Sequence, residues 1–228
     1  MATVRIDWPR AHRIIATRHP PIDLFERATP DPVVWEALIA LEELTNPRVR
    51  DAAGAIALVP PEDRIAGPGA SWVMAAFTHL NPKGSRFSDG SYGVYYAADR
   101  LETAVAETAH HFEAFARDSA DPPRTEAMRV LVGAIVADFV DAAAEPDSAA
   151  LLAPDSYDRA RAWGASQRAA GADGVAFPSV RDPGGACIGA FRPRVVGPPT
   201  PERVLHYRWN GSRVDRWFDP AIDAWIPR

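Results

Sequence analysis

The sequence contains a single cysteine, Cys187, and lysine is all but absent, so arginine supplies almost all of the 25 basic residues. One cysteine forms no intrachain disulfide and builds no cysteine metal site, which fits a reducing compartment. No apolar run approaches the roughly 20 residues of a membrane span. The opening "MATVRIDWPRAHRIIATRHPP" sets charges and prolines where a secretory signal needs an apolar centre. These absences predict a soluble, cytoplasmic protein. A basic excess is missing too. With 30 acidic residues, a formal charge of -5 and a pI near 5.7, the chain lacks the electrostatic footprint of a nucleic-acid binder.

Several catalytic signatures are also absent. There is no G-x-S-x-G elbow, no P-loop and no H-E-x-x-H, and the glycines of "GPGASW" and "DPGGACIG" lack the spacing of a dinucleotide fingerprint. His110 and His111 are adjacent, so on a helix they point about 100° apart and make a poor metal pair. No metal is expected.

What is present is ordinary for a globular protein. Hydrophobic residues make up 47% and charged residues 24% of 228, enough for one domain with a core of its own. "DPVVWEALIALEEL" predicts a helix, with Asp31 as N-cap, Pro32 at the first position, and Val34, Trp35, Leu38 and Leu41 at helical spacing. Prolines and glycines then recur up to "HLNPKGSRFSDG", around a short helical piece at Trp72 to Phe77. "SYGVYYAA" reads as a strand. Asp99 and Glu102 are spaced as a capping box for a helix from about Arg100 to Arg117, with Leu101, Val105, Thr108, Phe112 and Phe115 as its apolar stripe.

Downstream, "RVLVGAIVADFV" predicts a strand and "DSYDRARAWGASQRAAG" a capped helix stopped at Gly171. "GVAFPSV" predicts a short strand whose Pro178 marks an edge or an end, and "ACIGAFRPRVV" another strand. Alternation on either side of Asn210-Gly211 predicts a hairpin over about 203–219. Strands and helices mix without regular βαβ alternation, so the expected class is α+β.

The chemistry concentrates in "GSRFSDGSYGVYYAADRLETAVAE". Taken singly, its polar residues carry no signal. Arg86 lies in a glycine-bounded turn, Tyr96 in a strand, and Glu107 about 120° from the apolar stripe of its helix, where a solvated glutamate would sit. Their order and spacing, however, resemble the central motif of the RES domain family. In that motif a glycine-Arg-aromatic turn leads to a strand ending in Tyr, and the next helix carries Thr-Ala-x-x-Glu. Arg86 precedes Tyr96 by ten residues and Tyr96 precedes Glu107 by eleven. "DGVAFPSVRDPGGACIGAFRP" resembles the family's Pro-Ser-Val-Arg segment and supplies Ser179. "HRIIATRHPPIDLFE" resembles its N-terminal strand and offers Arg13 or Arg18. The resemblance covers about 13–193. It departs at Gly84-Ser85-Arg86-Phe87-Ser88, where the commoner family sequence is Gly-Gly-Arg-Trp-Asn.

The resemblance implies a single-domain fold similar to that of the ADP-ribosyltransferase toxins, a split mixed sheet with surrounding helices and an NAD cleft. It implies a toxin of a bacterial toxin-antitoxin pair that breaks the nicotinamide-ribose bond of NAD as co-substrate. ADP-ribose would pass to an acceptor such as a protein, or, as NAD glycohydrolase or phosphorylase, to water or phosphate. Glu107 would face the positive charge developing on the ribose, with Tyr96 and Arg86 beside it. Arg13 or Arg18, with Arg86, would hold the pyrophosphate, Tyr96 the nicotinamide ring and Ser179 its ribose or amide. The implied partner is a helix-turn-helix antitoxin that occludes the cleft. A non-catalytic binding module of the same fold is the alternative of another class.

Overall fold

A computed structural model describes residues 2–19, 31, 34–44 and 48–228. Its strands are β1 (Thr3–Ala16), β2 (Tyr95–Ala98), β3 (Arg124–Asp141), β4 (Gly174–Pro178), β5 (Ala186–Ala190), β6 (Thr200–Trp209), β7 (Val214–Asp219) and β8 (Ala224–Pro227). Its helices are α1 (Trp35–Glu43), α2 (Arg48–Ala53), α3 (Ala70–Thr78), α4 (Leu101–Asp118), α5 (Ser148–Leu151) and α6 (Asp158–Ala169).

The strands form one mixed sheet in the order β1-β2-β5-β4-β3-β6-β7-β8, and β1 also pairs with β3. β1 and β3 run antiparallel from Thr3↔Val140 to Ala16↔Met128. Pro9, which has no N–H to donate, falls where the register shifts between Trp8 and Ala11, so a bulge absorbs it without ending the strand. The short trio β2, β5 and β4 joins this long pair only at its ends. β2 meets β1 at His12↔Ala98, and β4 meets β3 in parallel at Val140↔Val175 and Asp141↔Ala176. Between those junctions the sheet is split, as the fold class predicted.

Each face of the sheet carries a core. On one, Leu101, Val105, Ala109 and Phe112 of α4 pack with Val130, Phe177, Leu205 and Trp209. On the other, Val73, Met74 and Phe77 of α3 pack with Trp35, Tyr95, Ile135, Phe139 and Ile188. Each large apolar side chain so buried contributes about 1.5–3 kcal/mol against the entropy of ordering. Buried Glu113 crosses the first core. It accepts from Val214 N at 2.8 Å and pairs with Arg228, tying α4 to β7 and the last residue.

Several expectations need correction. Val34 takes the N-cap position of helix α1 and makes no side-chain cap bond, and Val34 N donates to Asp31 O at 3.4 Å, while Pro32 lies outside the described residues. Trp35 is 1% exposed but Leu41 is 63% exposed, so the tryptophan and not the leucine stripe faces the core. Asp99 does not cap α4. Arg100 occupies the N-cap position without a side-chain cap bond, and Asp99 Oδ1 instead accepts from Ala186 N at 3.1 Å, holding β2 to β5. Glu102 is exposed in the first turn, and Phe115 is 48% exposed and outside the buried stripe. Helix α6 also lacks a side-chain cap, and β5 ends at Ala190, before a single 3-10 turn at Pro193–Val195. The Asn210 hairpin is present, with Asn210 Oδ1 accepting from Ser212 N and Arg213 N, and it is extended by the unforeseen β8.

Candidate active site

The split in the sheet organises the candidate residues. Arg13 follows His12, the last point at which β1 touches β2, so its side chain enters where the two strands part. Its Nη1 donates to Tyr96 O at 3.0 Å and its guanidinium lies 4.5 Å from the centre of the Tyr95 ring. Nε is buried with no hydrogen-bond partner among the described residues. No carboxylate pairs with Arg13 among the described residues. Arg13, Ile15, Trp72, Ser85, Tyr92 and Tyr96 line a cavity of about 800 Å³, within the range of small-molecule sites. Arg18 lies apart. It is exposed, bonded to Glu126 at 3.3 Å and over the Phe115 ring, so of the two arginines only Arg13 lines the cavity.

The turn that carries Arg86 is over-determined. Gly84 has φ +73°, and a Cβ there would lie 2.4 Å from Ser88 O, which only glycine tolerates. Ser85 N donates to Ser88 O at 2.7 Å, and Arg161 clamps the Lys83 and Ser85 carbonyls. The Tyr96 hydroxyl accepts from Phe87 N at 3.0 Å and shares a hydrogen bond with Ser85 Oγ at 2.9 Å. Burial pushes the Tyr96 phenol up to about 12, and its hydrogen bonds oppose that rise only in part. Tyr96 is therefore a neutral phenol that fastens the turn with its hydroxyl while its ring stands edge-on to Phe177, 6.5 Å between centres.

Arg86 itself is buried. Nη1 donates to Ala153 O at 2.8 Å and Leu151 O at 3.3 Å, and its guanidinium lies 4.5 Å from the centre of the Tyr157 ring. Among the described residues no carboxylate pairs with it either. Other arginines in this chain, such as Arg192, Arg194 and Arg208, are tied to aspartates. A guanidinium without a counter-charge is costly to bury, so Arg86 and Arg13 are each suited to an anion, although only Arg13 lines the cavity and Arg86, Glu107 and Ser179 lie outside its lining.

Glu107 and Ser179 meet directly. Ser179 Oγ donates to Glu107 Oε1 at 2.6 Å, and Ser179 Oγ in turn accepts from Arg181 N at 3.1 Å and Asp182 N at 3.0 Å. With both backbone donors aimed at its lone pairs, the hydroxyl proton is directed to the carboxylate. Glu107 is half-buried on α4, on the sheet face that also carries Tyr96 and Phe177, and is not the solvated residue its helical position suggests.

Three nearby residues escaped the sequence reading. Arg181, in the same Pro-Ser-Val-Arg segment as Ser179, donates through Nη2 to His110 Nε2 at 3.0 Å and to Pro154 O. An arginine cannot accept, so His110 is the tautomer with a bare Nε2. Burial first, then Arg181 and His111, pull the His110 imidazole down to about 4. Tyr157 and Asp182 carried no signal, because neither sits at a spacing that marks it.

The RES domain family matches residues 61–210. The uncharacterized protein y4oC of Sinorhizobium fredii (strain NBRC 101917 / NGR234) is 31% identical over 205 residues, covering 89% of this chain and 84% of that protein. The chain belongs to the RES domain family. Among solved structures, the M. tuberculosis MbcT-MbcA toxin-antitoxin complex contains a chain 11% identical to this one, with a TM-score of 0.42 over 92% of this chain and 87% of that chain.

Proposed function

We propose that the protein is an NAD-consuming toxin that breaks the nicotinamide-ribose bond and transfers ADP-ribose to an acceptor. The observation that carries this reading is the Glu107 carboxylate fixed by the Ser179 hydroxyl, together with a buried Arg86 and a part-buried, cavity-lining Arg13 that no carboxylate pairs with among the described residues. NAD presents the matching charges. Its pyrophosphate is an anion suited to guanidinium donors, and its ribose becomes cationic as the bond breaks.

In this reading Arg13 and Arg86 hold the pyrophosphate, and the Tyr96 ring supports the nicotinamide. The C–N bonding pair leaves with nicotinamide, which departs neutral, and an oxocarbenium-like ribose remains. Glu107 stabilises that charge through the oxygen that Ser179 does not engage, as carboxylates do in glycoside cleavage. Ser179 fixes the carboxylate and reaches the ribose or amide. The acceptor attacks the anomeric carbon and gives up its proton. A helix-turn-helix antitoxin covers the cleft in the intact pair.

Nicotinamide release from NAD by the purified protein tests the reading, and no release from protein freed of its partner overturns it. NAD labelled in the adenylate half, added to a cell extract, separates the branches. A labelled protein band supports transfer to protein, whereas labelled small molecules alone support a glycohydrolase or phosphorylase. No helix among the described residues is long and apolar enough to cross a membrane.

A further inference from the structure

Thr103 and Glu107 lie one turn apart on the same face of α4, and each meets the turn that follows β4. Glu107 takes the Ser179 hydroxyl, and Thr103 Oγ1 donates to Asp182 Oδ2 at 2.6 Å. Ser179 and Asp182 are themselves joined, because Asp182 N donates to Ser179 Oγ at 3.0 Å. The result is a ladder of two rungs between helix and turn. Arg100, at the start of the helix, reinforces the second rung with Nη2 at 2.9 Å from Asp182 Oδ2 and Nε at 3.0 Å from Thr103 Oγ1.

The geometry points to Asp182 as a positioning residue that, through Thr103, sets the Ser179 hydroxyl against Glu107. This inference rests on the NAD-cleaving reading for its catalytic consequence. Its structural part does not depend on that reading.

Three observations carry it. Thr103 is fully buried, so its hydroxyl requires a partner inside the protein, and Asp182 is the acceptor that it reaches. The turn approaches closely at Gly185, where a Cβ would fall 2.2 Å from Thr103 Oγ1, so this rung leaves no room for a side chain. The turn also closes on itself around Ser179, with Ser179 N donating to Gly185 O at 2.8 Å and Gly185 N to Asp182 O at 3.0 Å. Moving Asp182 therefore moves the backbone N–H that points the Ser179 hydroxyl. Thr103 first, and then Arg100, hold the Asp182 carboxyl below the usual carboxylate range, so the rung is ionised at neutral pH.

The experiment uses the full chain and three variants, Asp182→Ala, Thr103→Val and Thr103→Ser. Displacement of a positioned group lowers turnover without removing binding contacts, so Asp182→Ala and Thr103→Val should lower kcat about 10- to 100-fold and change KM less than about twofold. Thr103→Ser, which restores the hydroxyl, should recover most of the loss. Because Asp182 acts through Ser179, Asp182→Ala added to Ser179→Ala should cost less than about twofold more. Deuterium uptake by segment 179–185 should rise in Thr103→Val and return to the parental level in Thr103→Ser. Parental kcat in Asp182→Ala, or losses that multiply fully with those of Ser179→Ala, would overturn the inference. If the parent releases no nicotinamide, the NAD reading fails, and unchanged uptake in Thr103→Val would then overturn the ladder independently.

Discussion

Ser179 Oγ and Glu107 Oε1 lie 2.6 Å apart across 72 residues of sequence, with the serine as donor. Glu107→Gln keeps an oxygen that can accept this bond but removes the charge. It should therefore fold normally and still bind NAD, while nicotinamide release falls about 100- to 1,000-fold, as expected when one electrostatic stabiliser is lost. A single-turnover measurement of nicotinamide alongside NAD binding checks it. Release at the parental rate would remove Glu107 from the chemistry.

Arg13 and Arg18 are separated by only a few residues but face different surroundings. Arg13 lines the cavity and has no carboxylate partner among the described residues, whereas Arg18 is an exposed partner of Glu126. Arg13→Ala should weaken NAD binding about tenfold or more, the scale of one charge-assisted contact. Exposed ion pairs contribute about 0–1 kcal/mol, so Arg18→Ala should change NAD affinity and stability little. Titration of NAD into the two variants distinguishes them, and equal losses would refute the assignment of Arg13.

Much of the fold was legible because hydrophobic period and turn chemistry act locally. The strand at Tyr95, the helix ending at Asp118, the long β3 and the Asn210 hairpin follow from such signals. The cap expected at Asp99 fails because a partner distant in sequence takes its side chain. A β5 backbone N–H claims Asp99, and α1 begins at Trp35, four residues after Asp31. In the site, periodicity placed Glu107 off the apolar stripe but could not show that Ser179 covers it. The missed Thr103–Asp182 rung is likewise long-range, joining residues that no local pattern links.

The histidines give the protein an acid-sensitive stability. His110 is pulled down to about 4 from an ordinary 6.5, and burial also lowers His111 and His12. As pH falls through this range, the unfolded chain binds protons that the folded imidazoles refuse. Stability is therefore full above the unfolded value of 6.5 and declines as the solution is acidified toward 4. Thermal melts between about pH 7.5 and 4.5 should show a falling Tm, and His110→Asn should flatten part of the slope. A Tm independent of pH across this interval would contradict the assignment.

Gly189 tests whether the Tyr96 ring must stand where it does. It faces Tyr96 across the β2–β5 ladder, and a Cβ at this position would lie 3.1 Å from both Tyr96 Cε1 and Val94 Cγ1. Gly189→Ala introduces no backbone strain, because its φ is not among the positive ones. The methyl must push on the ring, whose hydroxyl holds Phe87 N and Ser85 Oγ. Overpacking of this kind costs about 1–3 kcal/mol. Because the ring is coupled to the Arg86 turn, NAD binding should weaken along with stability. The more disruptive Tyr96→Ala should reproduce the binding defect, whereas Tyr96→Phe, which keeps the ring but frees Phe87 N, should mainly lower stability. Chemical denaturation and NAD titration of the three variants separate the two effects. Parental stability and NAD affinity in Gly189→Ala would show that the ring tolerates displacement and is not a fixed part of the site.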